Sequence, residues 1–144
     1  MNTVKQILRL KGKQVWKVSK NATVLEALKV MAEKGVSAVV VMDGGHIAGI
    51  FTERDFARKV GLYEIKPSEI KVGDVMTGEL ITITQNETVS DCMRIMTEKR
   101  IRHLPVVEDG QLVGIISIGD VVKDLIDELQ FMVEQLENYI RGLR

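Results

Sequence analysis

The chain has 144 residues, 45% hydrophobic and 28% charged, which suits one compact domain or two small units sharing a core. Its 20 basic and 20 acidic side chains cancel, so no global charge draws it to a polyanion such as nucleic acid. One cysteine, Cys92, excludes an internal disulfide, and no run approaches the roughly 20 apolar residues that span a bilayer. With aromatics at only 4%, the core must come from Val, Ile, Leu, Met and Ala. The opening stretch, MNTVKQILRLKGK, has no long apolar region and no small-residue cleavage site. It does not read as a secretion signal, and a cytoplasmic location is the expectation.

In chain order, Thr3 to Leu8 reads as a short leading helix and Val15–Val18 as a short strand. Thr23 to Glu26 reads as a helix start, because the threonine can accept from a free N–H and the acid suits the helix dipole. Val24, Ala27, Leu28 and Met31 then recur at helical spacing, and Gly35 is placed to stop the helix. Residues 36–42 and 47–51 read as strands around an Asp43-Gly-Gly turn, with His46 exposed there. A second helix opens at Thr52. Residues 61–79 hold a loop and a short helix, Lys71–Met76. The pattern then recurs: strand at Leu80–Ile83, helix from Thr88 through Val89, Cys92, Met93 and Met96, strands over 101–107 and 112–116, and a helix opening at Ser117. Pro105 marks an edge or irregular strand position. Cys92 reads as a small buried residue on an apolar helix face rather than a nucleophile, since no base accompanies it.

The recurrence is a repeat. Residues 18–57 align with 83–122 at an offset of 65 without a gap, with identities at Asn21/Asn86, Thr23/Thr88, Val24/Val89, Met31/Met96, Glu33/Glu98, Lys34/Lys99, Val41/Val106, Gly45/Gly110, Gly49/Gly114, Ile50/Ile115 and Asp55/Asp120. Two copies are too few for a solenoid, so two halves related by a pseudo-twofold axis are expected. Repeat one is read as 3–60, a linker as 61–70, repeat two as 71–125 and a helical extension as 126–144. The fold class is α/β (α+β), two β-α-β-β-α repeats packed through their sheets with a long C-terminal helix. In that helix Val122, Ile126, Leu129, Val133, Leu136 and Ile140 are spaced 4, 3, 4, 3, 4, an a/d seam that suits homodimerisation or packing on the chain's own domain.

Each repeat closes on Gly-Ile, then Thr-x-x-Asp (52–55) or Ser-x-x-Asp (117–120); AspValMetThr (74–77) and IleArgHisLeuProValVal (101–107) accompany the second copy. In order, spacing and duplication this resembles a tandem pair of CBS domains, the Bateman module, over about residues 3–125. The resemblance implies two clefts between the repeats that bind adenosine-type ligands: AMP, ADP, ATP, NAD(H) or, less favoured, S-adenosylmethionine. It implies one cleft with Asp55, Thr52, Arg54 and Phe51 beside Thr77, Leu80, Ile81, Ile101, Arg102 and His103. It implies a second with Asp120, Ser117 and Ile116 beside Trp16, Val36, Ser37 and Ala38. Arg54, Arg102 and His103 make the first the expected home of a phosphorylated ligand. The chemistry fits: a hydroxyl at an N–H-rich helix start receives phosphate, and a carboxylate one turn in accepts from ribose hydroxyls.

The same four residues are also a plain helix cap, Trp16 is also a core residue, and Arg54 is also a solvated helix charge. With no nucleophile–base pair, metal cluster or P-loop, the expectation is a non-enzymatic regulatory module with an adenine-nucleotide ligand, an unidentified regulated partner and no metal. The alternative is a ligand-independent scaffold. Nucleotide hydrolysis and RNA binding rank below both.

Overall fold

The computed structural model describes residues 2–142. Residues 143 and 144, which end the expected helical extension, lie outside the described residues. The elements are α1 (Val4–Lys11), β1 (Lys17–Ser19), α2 (Val24–Lys34), β2 (Ala38–Asp43), β3 (His46–Thr52), α3 (Glu53–Lys59), α4 (Val72–Val75), α5 (Val89–Lys99), β4 (His103–Glu108), β5 (Gln111–Ser117) and α6 (Ile118–Gly142). They fall into two compact units, one of Gln14–Ile81 and one of the described residues of Met1–Lys13 and Thr82–Arg144.

In the unit of Gln14–Ile81, the strands form a three-stranded sheet in the order β1-β2-β3, β1 parallel and β3 antiparallel to β2. Thr23 caps α2 through a reciprocal box with Glu26: the Glu26 N–H donates to the Thr23 hydroxyl and the Thr23 N–H to the Glu26 carboxylate. The apolar face then buries Val24, Ala27 and Met31 against Val39 and Val41 of β2 and Phe51 of β3, with Val60, Val72 and Val75 completing the cluster. Gly44 turns the β2–β3 hairpin at φ 61°, and His46 is exposed beside it.

In the other unit β4 and β5 form a two-stranded antiparallel sheet. Leu80–Ile83, expected as a strand, supplies only a single parallel bridge, Ile83 to Val106. On the far side of Ile83 the Gln85 N–H goes to Glu108 Oε1 at 2.7 Å, where its counterpart Lys20 donates to the Met42 carbonyl; on the near side the reason lies in Pro105. In the first repeat the Val40 N–H donates to the Trp16 carbonyl at 2.9 Å, and Pro105, which occupies the place of Val40, has no N–H to give. Two bonds about Ile83 remain, its N–H to the Pro105 carbonyl at 3.0 Å and the Val107 N–H to its carbonyl at 2.9 Å.

The leading helices pack out of sequence order. The Val4 N–H donates to the Glu87 carbonyl and Val89 N–H to the Asn2 carbonyl, so α1 belongs to the unit of the second repeat. The Val72 N–H donates to the Ala22 carbonyl and Val24 N–H to the Ile70 carbonyl, so α4 belongs to the unit of the first. Sequence order alone assigns each leading helix to the repeat that follows it, because backbone bonds to a distant segment leave no trace in spacing.

The two long repeat helices end differently. Gly35 closes α2 in the left-handed region at φ 65°, as its position suggested, whereas Arg100 takes the same role after α5 at φ 54°. A side chain in that region costs about 1–2 kcal/mol, partly offset by the greater chain entropy glycine loses on folding. A Cβ on Gly35 meets no atom within 4 Å, so conformation alone decides the outcome. Gly35→Ala is expected to lower stability by about 1 kcal/mol in urea unfolding. A gain from Gly35→Ala would refute the conformational account.

No helix among the described residues is long and apolar enough to cross a membrane. Cys92 is fully buried and its burial pushes the thiol up to about 11, so it is a protonated packing residue at neutral pH.

Candidate functional site

Capping boxes are common in this chain. Thr3 with Gln6, Thr23 with Glu26, Thr52 with Asp55 and Thr88 with Asp91 all form one. The box alone therefore says nothing about a ligand. The two closing motifs differ from the other boxes by what else reaches the acid.

At the end of β3 the Asp55 N–H donates to the Thr52 hydroxyl at 3.2 Å, and the Thr52 N–H donates to Asp55 Oδ2 at 3.0 Å. Asp55 is buried, at 7% exposure. Its Oδ1 accepts the Thr77 hydroxyl at 2.9 Å and lies 3.2 Å from Lys59 Nζ. Lys59, one helical turn beyond Asp55, also donates to the Val75 carbonyl at 3.0 Å, where α4 ends. Thr77 reaches the aspartate because its backbone lies along β3, exchanging two bonds with Ile50 at 3.0 and 2.9 Å. Gly49 permits that approach: a Cβ there would sit 2.5 Å from the Thr77 carbonyl oxygen.

At the end of β5 the Asp120 N–H donates to Ser117 Oγ at 3.3 Å and the Ser117 N–H to Asp120 Oδ2 at 2.8 Å. The cation here is Lys11, the last residue of α1, with Nζ 2.6 Å from Asp120 Oδ2 and 2.9 Å from the Ile115 carbonyl. His103 pairs with Ser117 across β4 and β5, and the Ile118 N–H donates to the Arg102 carbonyl. Burial pushes the His103 imidazole below its ordinary pKa; Arg102 and Lys11 push the same way and Asp120 opposes them. A neutral imidazole thus stands in a cluster of Lys11, Arg102 and Asp120.

Of the residues named from the sequence, Trp16, Val36, Ser37, Ala38, Phe51, Thr52, Arg54, Asp55, Thr77, Leu80 and Ile81 lie in the unit of Gln14–Ile81. Ile101, Arg102, His103, Ile116, Ser117 and Asp120 lie in the other. Phe51 and Ile116 are fully buried, so their side chains pack rather than face solvent. Trp16 is half-buried against the core cluster and carries Lys34 Nζ 4.6 Å from its ring centroid, a cation–π contact. Arg54, Ser37 and Arg102 are exposed and Ala38 is buried. Sequence reasoning missed Lys59 and Lys11. Lys59 was within reach, four residues after Asp55 on one helix face. Lys11 lies 109 positions from its aspartate, and only the exchanged packing of α1 brings it there.

Comparison with known proteins agrees with this architecture. The CBS domain family matches residues 4–61 and 72–127. A mitochondrial CBS domain-containing protein of Arabidopsis thaliana, CBSX3, is 39% identical over 97% of this chain and 72% of its own length. The structure of a protein with CBS domains from Burkholderia ambifaria MC40-6 is similar at a TM-score of 0.85 and 47% identity, covering 88% of this chain and 95% of that one. The CBS domain pair of protein MJ0100, solved in complex with 5′-methylthioadenosine and S-adenosyl-L-methionine, has a TM-score of 0.78 and 25% identity, covering 89% of this chain and 98% of its own.

Proposed function

Because this chain belongs to the CBS-domain family and carries two CBS repeats, we propose that it is a non-catalytic regulatory module that binds an adenosine-type ligand, with AMP, ADP, ATP or NAD(H) ahead of S-adenosylmethionine. The observation that carries this reading is the duplicated trio of hydroxyl, carboxylate and lysine. Thr52, Asp55 and Lys59 have counterparts in Ser117, Asp120 and Lys11, the first two at the repeat offset and the lysine from a different helix. A carboxylate accepts hydrogen bonds from a ribose diol, and an ammonium beside a helix start with free N–H groups suits a phosphate. The adenosine compounds bound by the MJ0100 pair support the ligand class. Occupancy would bias one arrangement of the protein over another through differential affinity and so pass to a regulated partner.

We read the assembled form as a homodimer built on α6, whose seam residues are exposed: Val122 45%, Ile126 49%, Leu129 60%, Val133 52%, Leu136 61% and Ile140 58%. An apolar stripe of this length, left to water, calls for a partner helix.

Calorimetry with AMP, ATP, NADH and S-adenosylmethionine tests the ligand reading, with mass spectrometry of small molecules released on denaturing the purified protein as a check on carried-over ligand. Saturable heat with at least one compound is expected. Silence from all four, together with no nucleotide released, would leave a ligand-independent scaffold.

A further inference from the structure

The two aspartates share one capping geometry but differ in what occupies them. Asp55 uses both oxygens: Oδ2 accepts from Thr52, and Oδ1 takes the Thr77 hydroxyl and Lys59. Its side chain is 9% exposed. At Asp120 the Ser117 N–H and the Lys11 ammonium both go to Oδ2, and the side chain is 19% exposed. The strand edge alongside differs in the same sense. Beside Asp55, the N–H and carbonyl of Ile50 are both bonded to the Thr77 backbone. Beside Asp120, the Ile115 carbonyl takes the Lys11 side chain rather than a backbone N–H. Pro105 lies opposite Ile115 and turns its own carbonyl toward Ile83, so Pro105 and Ile115 form a non-hydrogen-bonded pair. The Ile115 N–H therefore points to the outer edge of β5, next to its carbonyl.

We propose, building on the adenosine-ligand reading, that the Asp120 end is the nucleotide-receiving end and that Lys11 makes it selective for a phosphorylated ligand, while Thr77 holds the Asp55 end closed. Ribose hydroxyls donate to Asp120, and the Lys11 ammonium moves from the carboxylate to the ligand phosphate. The exchange leaves no charge unsatisfied: the ammonium–carboxylate pair becomes an ammonium–phosphate pair and a carboxylate held by hydrogen bonds from the ribose hydroxyls and the Ser117 N–H. Lys11 can make that move. Its head stands on a flexible four-carbon stem, its side chain is 30% exposed, and it is the terminal residue of α1. The Thr77 backbone cannot move alone, because two bonds fix it to Ile50, so its hydroxyl leaves Asp55 only by turning a β-branched side chain with few preferred rotamers. The sequence, weighing Arg54, Arg102 and His103, favoured the Asp55 end; the hydrogen bonding favours the other.

Calorimetric titration of the full chain with AMP and with adenosine tests this. The parent is expected to bind AMP more tightly than adenosine. Asp120→Asn should weaken both by about tenfold or more, and Lys11→Met should weaken AMP by about tenfold while changing adenosine by less than about threefold. Thr77→Val, which keeps the backbone bridge and removes the hydroxyl, should add or tighten a second binding event. A loss of the tight event in Asp55→Asn with its retention in Asp120→Asn would overturn the assignment. So would a Lys11→Met protein that binds both compounds equally changed, or AMP more tightly, since Lys11 would then only cover Asp120. An unchanged second event in Thr77→Val would remove the lock. If the parent binds neither compound nor any other adenosine ligand, the functional reading itself falls; binding with the order reversed sinks this inference alone. Lys11→Met and Thr77→Val decide the matter even if Asp120→Asn fails to fold.

Discussion

Gly49→Ala should lower stability by about 3 kcal/mol, whereas the equivalent change in the second repeat, Gly114→Ala, should cost about 1 kcal/mol. A Cβ on Gly49 would lie 2.5 Å from the Thr77 carbonyl oxygen and 2.7 Å from Met76 Sδ. The methionine can turn aside, but the carbonyl cannot, because the Thr77 backbone is bonded to Ile50 at both its N–H and its C=O. The Thr77 segment must shift, and with it go the bridge and the hydroxyl bond to Asp55. On Gly114 the obstruction is Leu8 Cδ2 at 2.7 Å and Cδ1 at 2.9 Å, the methyl end of a buried side chain, which yields by a smaller adjustment than a carbonyl fixed by two backbone bonds. Urea unfolding of both variants at one protein concentration measures the difference. Equal losses would show that the two glycines serve the same purpose and that the Thr77 crossing carries no special weight.

This pair of glycines also marks how far the sequence can be read. The duplication, the helix starts at Thr23 and Thr88, the stop at Gly35, both hairpins and the long last helix follow from local rules: a hydroxyl three residues before an acid, an apolar spacing, a residue tolerant of positive φ. Each is written in adjacent residues, and the structure bears them out. What was hidden depends on distant segments. The failure of Leu80–Ile83 to form a strand traces to Pro105 and to Glu108, which takes the Gln85 N–H, both more than 20 positions on. The identity Gly49/Gly114 conceals unlike neighbours, a backbone in one case and a leucine in the other. The lysines at the two aspartates look unrelated because one arrives from its own helix and the other from α1. A repeat preserves the places where another part of the chain must approach closely, but not the groups that come to fill them.

The seam of α6 is expected to decide whether the protein is a dimer. Val122, Leu129 and Leu136 fall at d positions, and the β-branched Ile126, Val133 and Ile140 at a positions, the combination that favours two parallel strands. Beyond Asp124 no described residue of the helix is fully buried on its own unit, so its last five turns have an apolar stripe that a second helix could cover. Leu129→Asp together with Leu136→Asp puts like charges opposite each other at two d layers of such a pair. The dimer dissociation constant should rise by at least about 100-fold, close to 3 kcal/mol, and sedimentation velocity should find a monomer with an unchanged core fold. The geometry has its own test. In a parallel, in-register pair residue 136 meets its own copy, so Leu136→Cys should oxidise to a covalent dimer, with the buried Cys92 taking no part. An antiparallel pair would leave that cysteine unlinked and place the seam's partner elsewhere along the helix. A doubly charged variant that sediments as the parent does would remove α6 from the interface and return its apolar stripe to some other partner.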